Sequence, residues 1–171
     1  MRLRLFKQVD VFTARPYLGN PLAVVLDGTG LSDAELQRFA AWTNLSETTF
    51  VLPPTPEAAA AGADYQVRIF TTAYEMPFAG HPTLGTCHAW LTNGGVPKDP
   101  ARIAQQCKVG LVQIQRDGAR LAFAASVLGF KTRRNVPLEA VVAVKALAHW
   151  LVTGLPLTLI APGLAVLLNL P

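Results

Sequence analysis

The stretch PFAGHPTLGTCHAWLTNGG, residues 77–95, predicts the helix on which the fold depends. Proline favours the first position of a helix, because its missing N–H would have no partner there, so we expect the helix to begin at Pro82. The run NGGVP at residues 93–97 is a strong stop signal and ends the helix at about Asn93. His81 therefore stands directly before a predicted helix N-terminus.

The remainder of the first 125 residues predicts strands and one further helix. Ser32 can cap that helix, and Glu35 completes a capping box. Apolar patterns predict strands over residues 2–13, 22–26, 48–52 and 65–71, and a hairpin over residues 112–125 that turns at Asp117-Gly118. Residues 53–63 are typical of a solvent loop. No βαβ alternation with a phosphate-binding fingerprint occurs, so we predict an α+β fold.

The composition indicates a well-buried protein of a reducing compartment. Hydrophobic residues make up 51% of the 171 residues and charged residues 15%, which excludes a disordered chain. Cys87 and Cys107 lack the spacing of a metal site, and we interpret them as small packing residues. The first twelve residues alternate charged and apolar side chains, unlike a signal peptide. We therefore expect a cytoplasmic protein.

Charge is distributed unevenly along the chain. The formal net charge is +4, and the basic excess lies near Lys131, Arg133 and Arg134. Three basic residues without interleaved aromatic side chains do not indicate a nucleic-acid partner.

The sequence changes character from Ser126 onward. Residues 146–171 contain no Asp, Glu, Lys or Arg, and this run is long enough to cross a membrane. Pro156 and Pro162 would break or kink such a helix. We favour the alternative, a buried amphipathic helix near residues 137–152 followed by an apolar extension that contacts the domain or a partner.

Glu47 and His81 are the candidate catalytic residues. A helix that begins at Pro82 leaves the backbone N–H groups of Thr83, Leu84 and Gly85 without intrahelical partners, beside the positive end of the helix dipole. These donors suit a substrate carboxylate or a developing enolate oxygen. Glycines at 80 and 85 would let the ligand approach the backbone.

The two side chains complement each other as acid and base. The positive helix end disfavours protonation of His81, so we expect a neutral imidazole. Burial would raise the pKa of Glu47 toward the range useful for proton transfer. The pair suits proton abstraction next to a carbonyl or across a diene. A surface glutamate and a capping histidine remain the simpler alternative.

A metal site is not expected. His88 lies seven residues after His81 and so on the same helical face, but no further ligands accompany the two histidines.

Three strings carry a family resemblance: VDVFTARPYLGNPLAVVLD, LSDAELQRFAAWTNLSETTFVLPP and YQVRIFTTAYEMPFAGHPTLGTCHAWL. Together they resemble the N-terminal half of the phenazine-biosynthesis PhzF-like isomerase/epimerase family, over about residues 7–125. The resemblance implies a diaminopimelate-epimerase-like half, a strand-rich barrel around a central helix. It also implies cofactor-independent proton shifts on a small carboxylate, with Glu47 as acid/base, His81 in the active site and Asn20 bordering the cleft.

The resemblance ends at Ala125, so we predict a domain over residues 1–125 and a divergent apolar tail over residues 126–171. Family members continue into a second half that supplies the opposite wall of the cleft. A reading-frame shift, a truncation or a genuine tail would each produce this change. Three functions follow: an isomerase, a non-catalytic remnant that forms homo-oligomers through its exposed cleft face, and a domain attached to a membrane through residues 146–171.

Overall fold

The computed structural model describes residues 2–123 and 167–170. The strands are β1 (Arg2–Val11), β2 (Asn20–Val25), β3 (Thr48–Leu52), β4 (Tyr65–Phe70), β5 (Glu75–Met76), β6 (Arg102–Cys107), β7 (Gly110–Asp117), β8 (Arg120–Phe123) and β9 (Leu167–Leu170). The helices are α1 (Asp33–Thr43), α2 (Pro56–Ala60) and α3 (Gly80–Leu91).

The described strands form one sheet in the order β8-β7-β6-β4-β3-β2-β1-β9, with β5 paired to β4. The pairs β2–β3 and β4–β6 are parallel, and the other pairs are antiparallel. Because β2 and β3 are parallel with Ala23 opposite Thr48, both strands begin at the same end of the sheet. The last residues of β1 and β4 lie at that end as well.

Helix α3 lies inside the curve of this sheet. It contacts β1 and β2 as well as β6 and β8, which stand far apart in the strand order, so the sheet must curl around the helix. Apolar side chains from all sides meet there in one buried cluster, including Val9, Leu22, Leu84, Ile103 and Val112. The predicted α+β fold, a strand-rich half barrel around a central helix, is confirmed.

Gly85 sets how closely α3 approaches β1 and β2. A Cβ at this position would lie 2.7 Å from Leu22 Cδ2 and 2.8 Å from Val11 Cγ2, closer than carbon atoms normally come. We predicted that this glycine would let a ligand approach the backbone, and that reason is wrong. The space beside Gly85 is filled by the core.

A second apolar cluster covers the opposite face of the sheet. Leu36, Phe39 and Ala40 of α1 are buried against Phe50 and Phe70 of the sheet. The predicted capping box of α1 is confirmed, since the Ser32 hydroxyl accepts from the Glu35 N–H and the Glu35 carboxylate accepts from the Ser32 N–H. Both cysteines are buried free thiols, as expected of packing residues.

Three local predictions differ from the structure. Helix α3 begins at Gly80 rather than Pro82, because proline is tolerated wherever the N–H would lack an intrahelical partner, which includes the whole first turn. The predicted loop over residues 53–63 contains α2, whose first turn is capped by the Thr55 hydroxyl. The sequence patterns did not predict β6, in which two glutamines interrupt the apolar alternation.

Most of the predicted tail lies outside the described residues, and so does the helix predicted near residues 137–152. Within the tail the structure describes β9, which pairs antiparallel with β1 so that Leu167 lies opposite Leu5. Among the helices that the structure describes, none combines the length and the hydropathy that a membrane crossing requires.

We predict that Gly85→Ala destabilises the protein. Overpacking of the contact with Val11 and Leu22 costs about 1–3 kcal/mol, and the better helix propensity of alanine returns about 1 kcal/mol of this. The free energy of unfolding, measured by urea denaturation, should therefore fall. Gly80→Ala is the matched control in the same helix, because its Cβ would meet only Phe123 at an ordinary 3.4 Å. Equal stability of the two variants would contradict the close approach.

Candidate active site

The two predicted catalytic residues meet at one end of the half barrel. This end is formed by the last residue of β1, the first residues of β2 and β3, and the first turn of α3. Glu47 immediately precedes β3, and His81 is the second residue of α3. Residues 34 positions apart in the sequence are thus placed side by side by the enclosure of α3 within the sheet.

Glu47 is held by the short connection between α1 and β3. Asn44 ends α1 in the left-handed conformation at φ 56°, which asparagine tolerates better than most residues. Thr43 and Thr48 flank this connection, and a hydrogen bond of 2.7 Å joins their hydroxyls. Thr48 is fully buried, so the Glu47 side chain is fixed at the rim of the core and is only 15% exposed.

His81 is enclosed by the core and by an aromatic ring. Its side chain is 9% exposed, and the ring of Phe12 stands edge-on to the imidazole with centroids 6.3 Å apart. Phe12 follows β1 with a φ of 67°, a strained value for a bulky residue. Such strain persists where surrounding structure enforces it, and here it places the aromatic ring beside the histidine.

The imidazole and the carboxylate contact each other directly. His81 Nε2 lies 3.1 Å from Glu47 Oε2. The two atoms are nevertheless not aligned as a hydrogen bond, and neither has another hydrogen-bond partner among the described residues. Buried polar atoms without a partner are rare in folded proteins and call for a functional or structural explanation. Both atoms remain available to a third group.

Burial sets the charge state of both residues. It lowers the pKa of His81 from 6.5 to about 4 and raises the pKa of Glu47. Both shifts disfavour an imidazolium–carboxylate pair and favour a neutral imidazole, in the directions we predicted. The cause for His81 differs from our expectation, however. A helix end contributes about 0.3–1 kcal/mol, whereas this shift corresponds to about 3 kcal/mol, so burial is the larger effect.

The free backbone donors lie three residues earlier than predicted, at Gly80 and His81. Thr83 N–H donates to the carbonyl of Ala79 at 3.2 Å, and Leu84 and Gly85 are inside the helix, where their N–H groups bond the preceding turn. The prediction that these three groups are free for a substrate is therefore wrong, because α3 starts earlier. Gly80 and His81 occupy its first two positions, and their N–H groups have no hydrogen-bond partner among the described residues.

The other predicted residue and several missed ones surround the pair. Asn20 begins β2 opposite Val11, so it lies at the same end of the sheet, and its role in binding stays a prediction. The sequence analysis missed the aromatic side chains near the first turn of α3. Phe78 and Phe123 stack edge-to-face at 5.4 Å, and Phe123 also lies beside Gly80.

The described residues offer no metal cluster as an alternative site, and the described cavity lies away from Glu47 and His81. Within residues 2–123 and 167–170, no three histidine, cysteine or acidic side chains come together as metal ligands. A cavity of about 470 Å³ lies at the opposite end of α3, lined by Trp90, Asn93 and residues of the sheet. Its lining includes neither Glu47 nor His81.

Comparison with known proteins identifies the family. The sequence model of the PhzC/PhzF family, described as phenazine biosynthesis-like protein, matches residues 9–157. The chain belongs to this family. The match extends past Ala125, where we expected the resemblance to end, and the predicted boundary between residues 125 and 126 stays a prediction.

Individual relatives agree with this assignment. Antisense-enhancing sequence 1 of Schizosaccharomyces pombe is 48% identical over 115 residues, which cover 67% of this chain and 38% of the relative. The trans-2,3-dihydro-3-hydroxyanthranilate isomerase of Pseudomonas aeruginosa is 42% identical over 61% of this chain and 34% of its own. The crystal structure of a Bacillus anthracis PhzF-family protein matches with a TM-score of 0.59 and 36% identity, over 67% of this chain and 36% of that chain. The chain thus spans little more than a third of these relatives.

We predict that His81 makes the protein sensitive to acid. Between pH 6.5 and about 4 the unfolded chain binds a proton at His81 that the native state does not, so the free energy of unfolding falls by about 3 kcal/mol as the pH is lowered through this window. Urea denaturation at several pH values measures this loss. The raised pKa of Glu47 changes the stability in the opposite direction as the pH falls. The measurement is therefore made in the Glu47→Gln variant.

The control is Glu47→Gln/His81→Gln in the same experiment. His88, whose pKa is also lowered by burial and by Lys7, is present in both proteins, and its contribution cancels. If stability falls equally in both variants between pH 6.5 and 4, His81 does not cause the acid sensitivity.

Proposed function

We propose that this chain carries the proton-transferring part of an isomerase that acts without a cofactor on a small carboxylated metabolite. The observation that carries the proposal is the buried contact between Glu47 Oε2 and His81 Nε2, two atoms that lack a hydrogen-bond partner among the described residues. A structural pair would be aligned and satisfied, whereas an acid/base pair must keep its lone pairs and proton available to a substrate.

Substrate recognition would use the N-terminal end of α3. The N–H groups of Gly80 and His81 sit at the positive end of the helix dipole, which favours a carboxylate or an enolate oxygen. The rings of Phe12 and Phe123 border the same turn and offer apolar contacts to a planar, unsaturated ring. A cyclic dienoic acid combines both properties.

Proton transfer would proceed through Glu47. Its carboxylate removes a proton from a carbon of the substrate, and the electrons of that C–H bond shift into the conjugated system toward the bound carboxylate. Glu47, now protonated, exchanges this proton with solvent and returns a proton to a different carbon, so that a double bond has moved and the substrate has neither gained nor lost atoms overall. The raised pKa makes Glu47 a stronger base than a surface glutamate. Because burial lowers the pKa of His81, its neutral imidazole would assist by hydrogen bonding rather than by taking up the proton.

The relatives support the choice of reaction class. One relative is named trans-2,3-dihydro-3-hydroxyanthranilate isomerase. The compound in this name is a dihydroaromatic amino acid whose carboxylate is attached to the ring. We propose a substrate of this class.

We predict that Glu47→Gln strongly slows isotope exchange. The protein is incubated in D₂O with trans-2,3-dihydro-3-hydroxyanthranilate and with other cyclic dienoic acids, and deuterium incorporation is followed by mass spectrometry. Loss of a positioned general acid/base slows such a reaction by about 10²–10⁴-fold. His81→Gln should slow the exchange as well.

The matched control is Glu57→Gln, which makes the same chemical change on an exposed helix far from the site. It should exchange at the rate of the unaltered protein. If the unaltered chain exchanges no deuterium with any member of the panel, the isomerase proposal fails. The non-catalytic remnant, which predicts homo-oligomers formed through the exposed cleft face, is then the better description.

A further inference from the structure

A line of polar side chains runs through the otherwise apolar core beside α3. Tyr65 of β4 donates from its hydroxyl to Gln105 Oε1 at 2.8 Å. Gln105 of β6 donates from Nε2 to the hydroxyl of Thr83 at 3.2 Å. Gln105 and Thr83 are both 0% exposed, so these bonds are made away from water.

The line ends at the first turn of α3. Thr83 Oγ1 donates to the carbonyl of Ala79 at 2.8 Å, and the N–H of Thr83 donates to the same carbonyl. Ala79 is the N-cap residue of α3 and has no polar side chain with which to cap the helix. The first turn is therefore fixed from inside the core, through a residue that directly precedes Gly80 and His81.

The buried side-chain amide of Gln105 is unusual in an apolar core and calls for an explanation. Leucine would fill a similar volume without having to satisfy an amide group, and a buried polar network stabilises only when every member is bonded. In this line each hydrogen bond has one defined direction, from Tyr65 to Gln105, from Gln105 to Thr83 and from Thr83 to Ala79. Such a network specifies one geometry, which an apolar contact does not.

We propose that Gln105 and Thr83 are positioning residues, which hold the first turn of α3 so that the His81 imidazole meets Glu47. Neither residue touches the reacting atoms; both act through the carbonyl of Ala79. Their effect on catalysis rests on the proposed function, whereas their effect on the geometry of His81 does not.

The helix supplies a matched control one turn further along. Thr86 is also 0% exposed, and its hydroxyl donates to the hydroxyl of Thr49 at 2.7 Å. This bond joins α3 to β3 without reaching the first turn. Thr86→Val and Thr83→Val therefore remove the same chemical group from the same kind of environment. Only Thr83→Val removes the side-chain hydrogen bond to the carbonyl of Ala79.

The experiment follows the titration of His81 in the full chain. Two-dimensional ¹⁵N–¹H NMR reports the protonation of its imidazole, with the signals assigned by their loss in His81→Gln. Glu47→Gln is the background, because Glu47 is the titratable group in contact with the imidazole. In Thr83→Val and in Gln105→Leu, we expect the pKa of His81 to rise by about one unit or more, since a loosened first turn admits water to the imidazole.

Rescue and control variants distinguish positioning from general stability. Thr83→Ser keeps the hydroxyl and should retain the low pKa of His81. Thr86→Val should retain it too, although its thermal midpoint should fall about as far as that of Thr83→Val. In the presence of native Glu47, Thr83→Val should lower kcat about tenfold or more, whereas Thr86→Val should not.

Two outcomes would overturn the proposal: an unchanged His81 titration in Thr83→Val, or an equal shift in Thr86→Val. Should Gln105→Leu fail to fold, the comparison of the two threonine variants decides alone. A chain without isomerase activity would defeat the proposed function, yet the NMR titration would still show whether the line positions His81.

Discussion

The curled sheet encloses α3, and this enclosure determines how the core is filled and where the candidate site forms. Gly85 allows the helix to touch Val11 and Leu22 directly, and a longer distance would leave the core of the half barrel unfilled. The same enclosure presses the first turn of α3 against the start of β3. Glu47 and His81 meet because the core is closely filled, and their own attraction is not needed to bring them together.

Polar groups in this core serve two different purposes. Gln105 and Thr83 are bonded to defined partners and contribute to a single arrangement of the helix. Glu47 and His81 lie at the rim of the core, and their facing atoms lack aligned hydrogen bonds. The residues that hold the site therefore have their hydrogen bonds satisfied, whereas the pair that would contact a substrate does not. Exceptions to the usual rules of folding are expected at functional sites.

The sequence predicted features whose causes are local. The capping box of α1 depends on residues 32–35 alone, and β3 was predicted with its observed limits. The start of α3 was placed too late, because a proline is compatible with any position of a first turn. The strand β6 was missed because Gln105 is buried through partners 22 and 40 residues away in the sequence. Nor does any local pattern reveal that the backbone of Phe12 turns its ring toward His81.

The position of α3 in the chain has a consequence for synthesis of the protein. The apolar faces of β1 and β2 are made first, but the helix that covers them begins only at Gly80. At about 5–20 residues per second, the ribosome needs several seconds to add the intervening chain. During that time Val9, Val11 and Leu22 have no helix to cover them, and the nascent chain exposes the kind of surface that chaperones bind. We therefore expect the first two strands to be the part of the nascent chain most prone to association before α3 emerges.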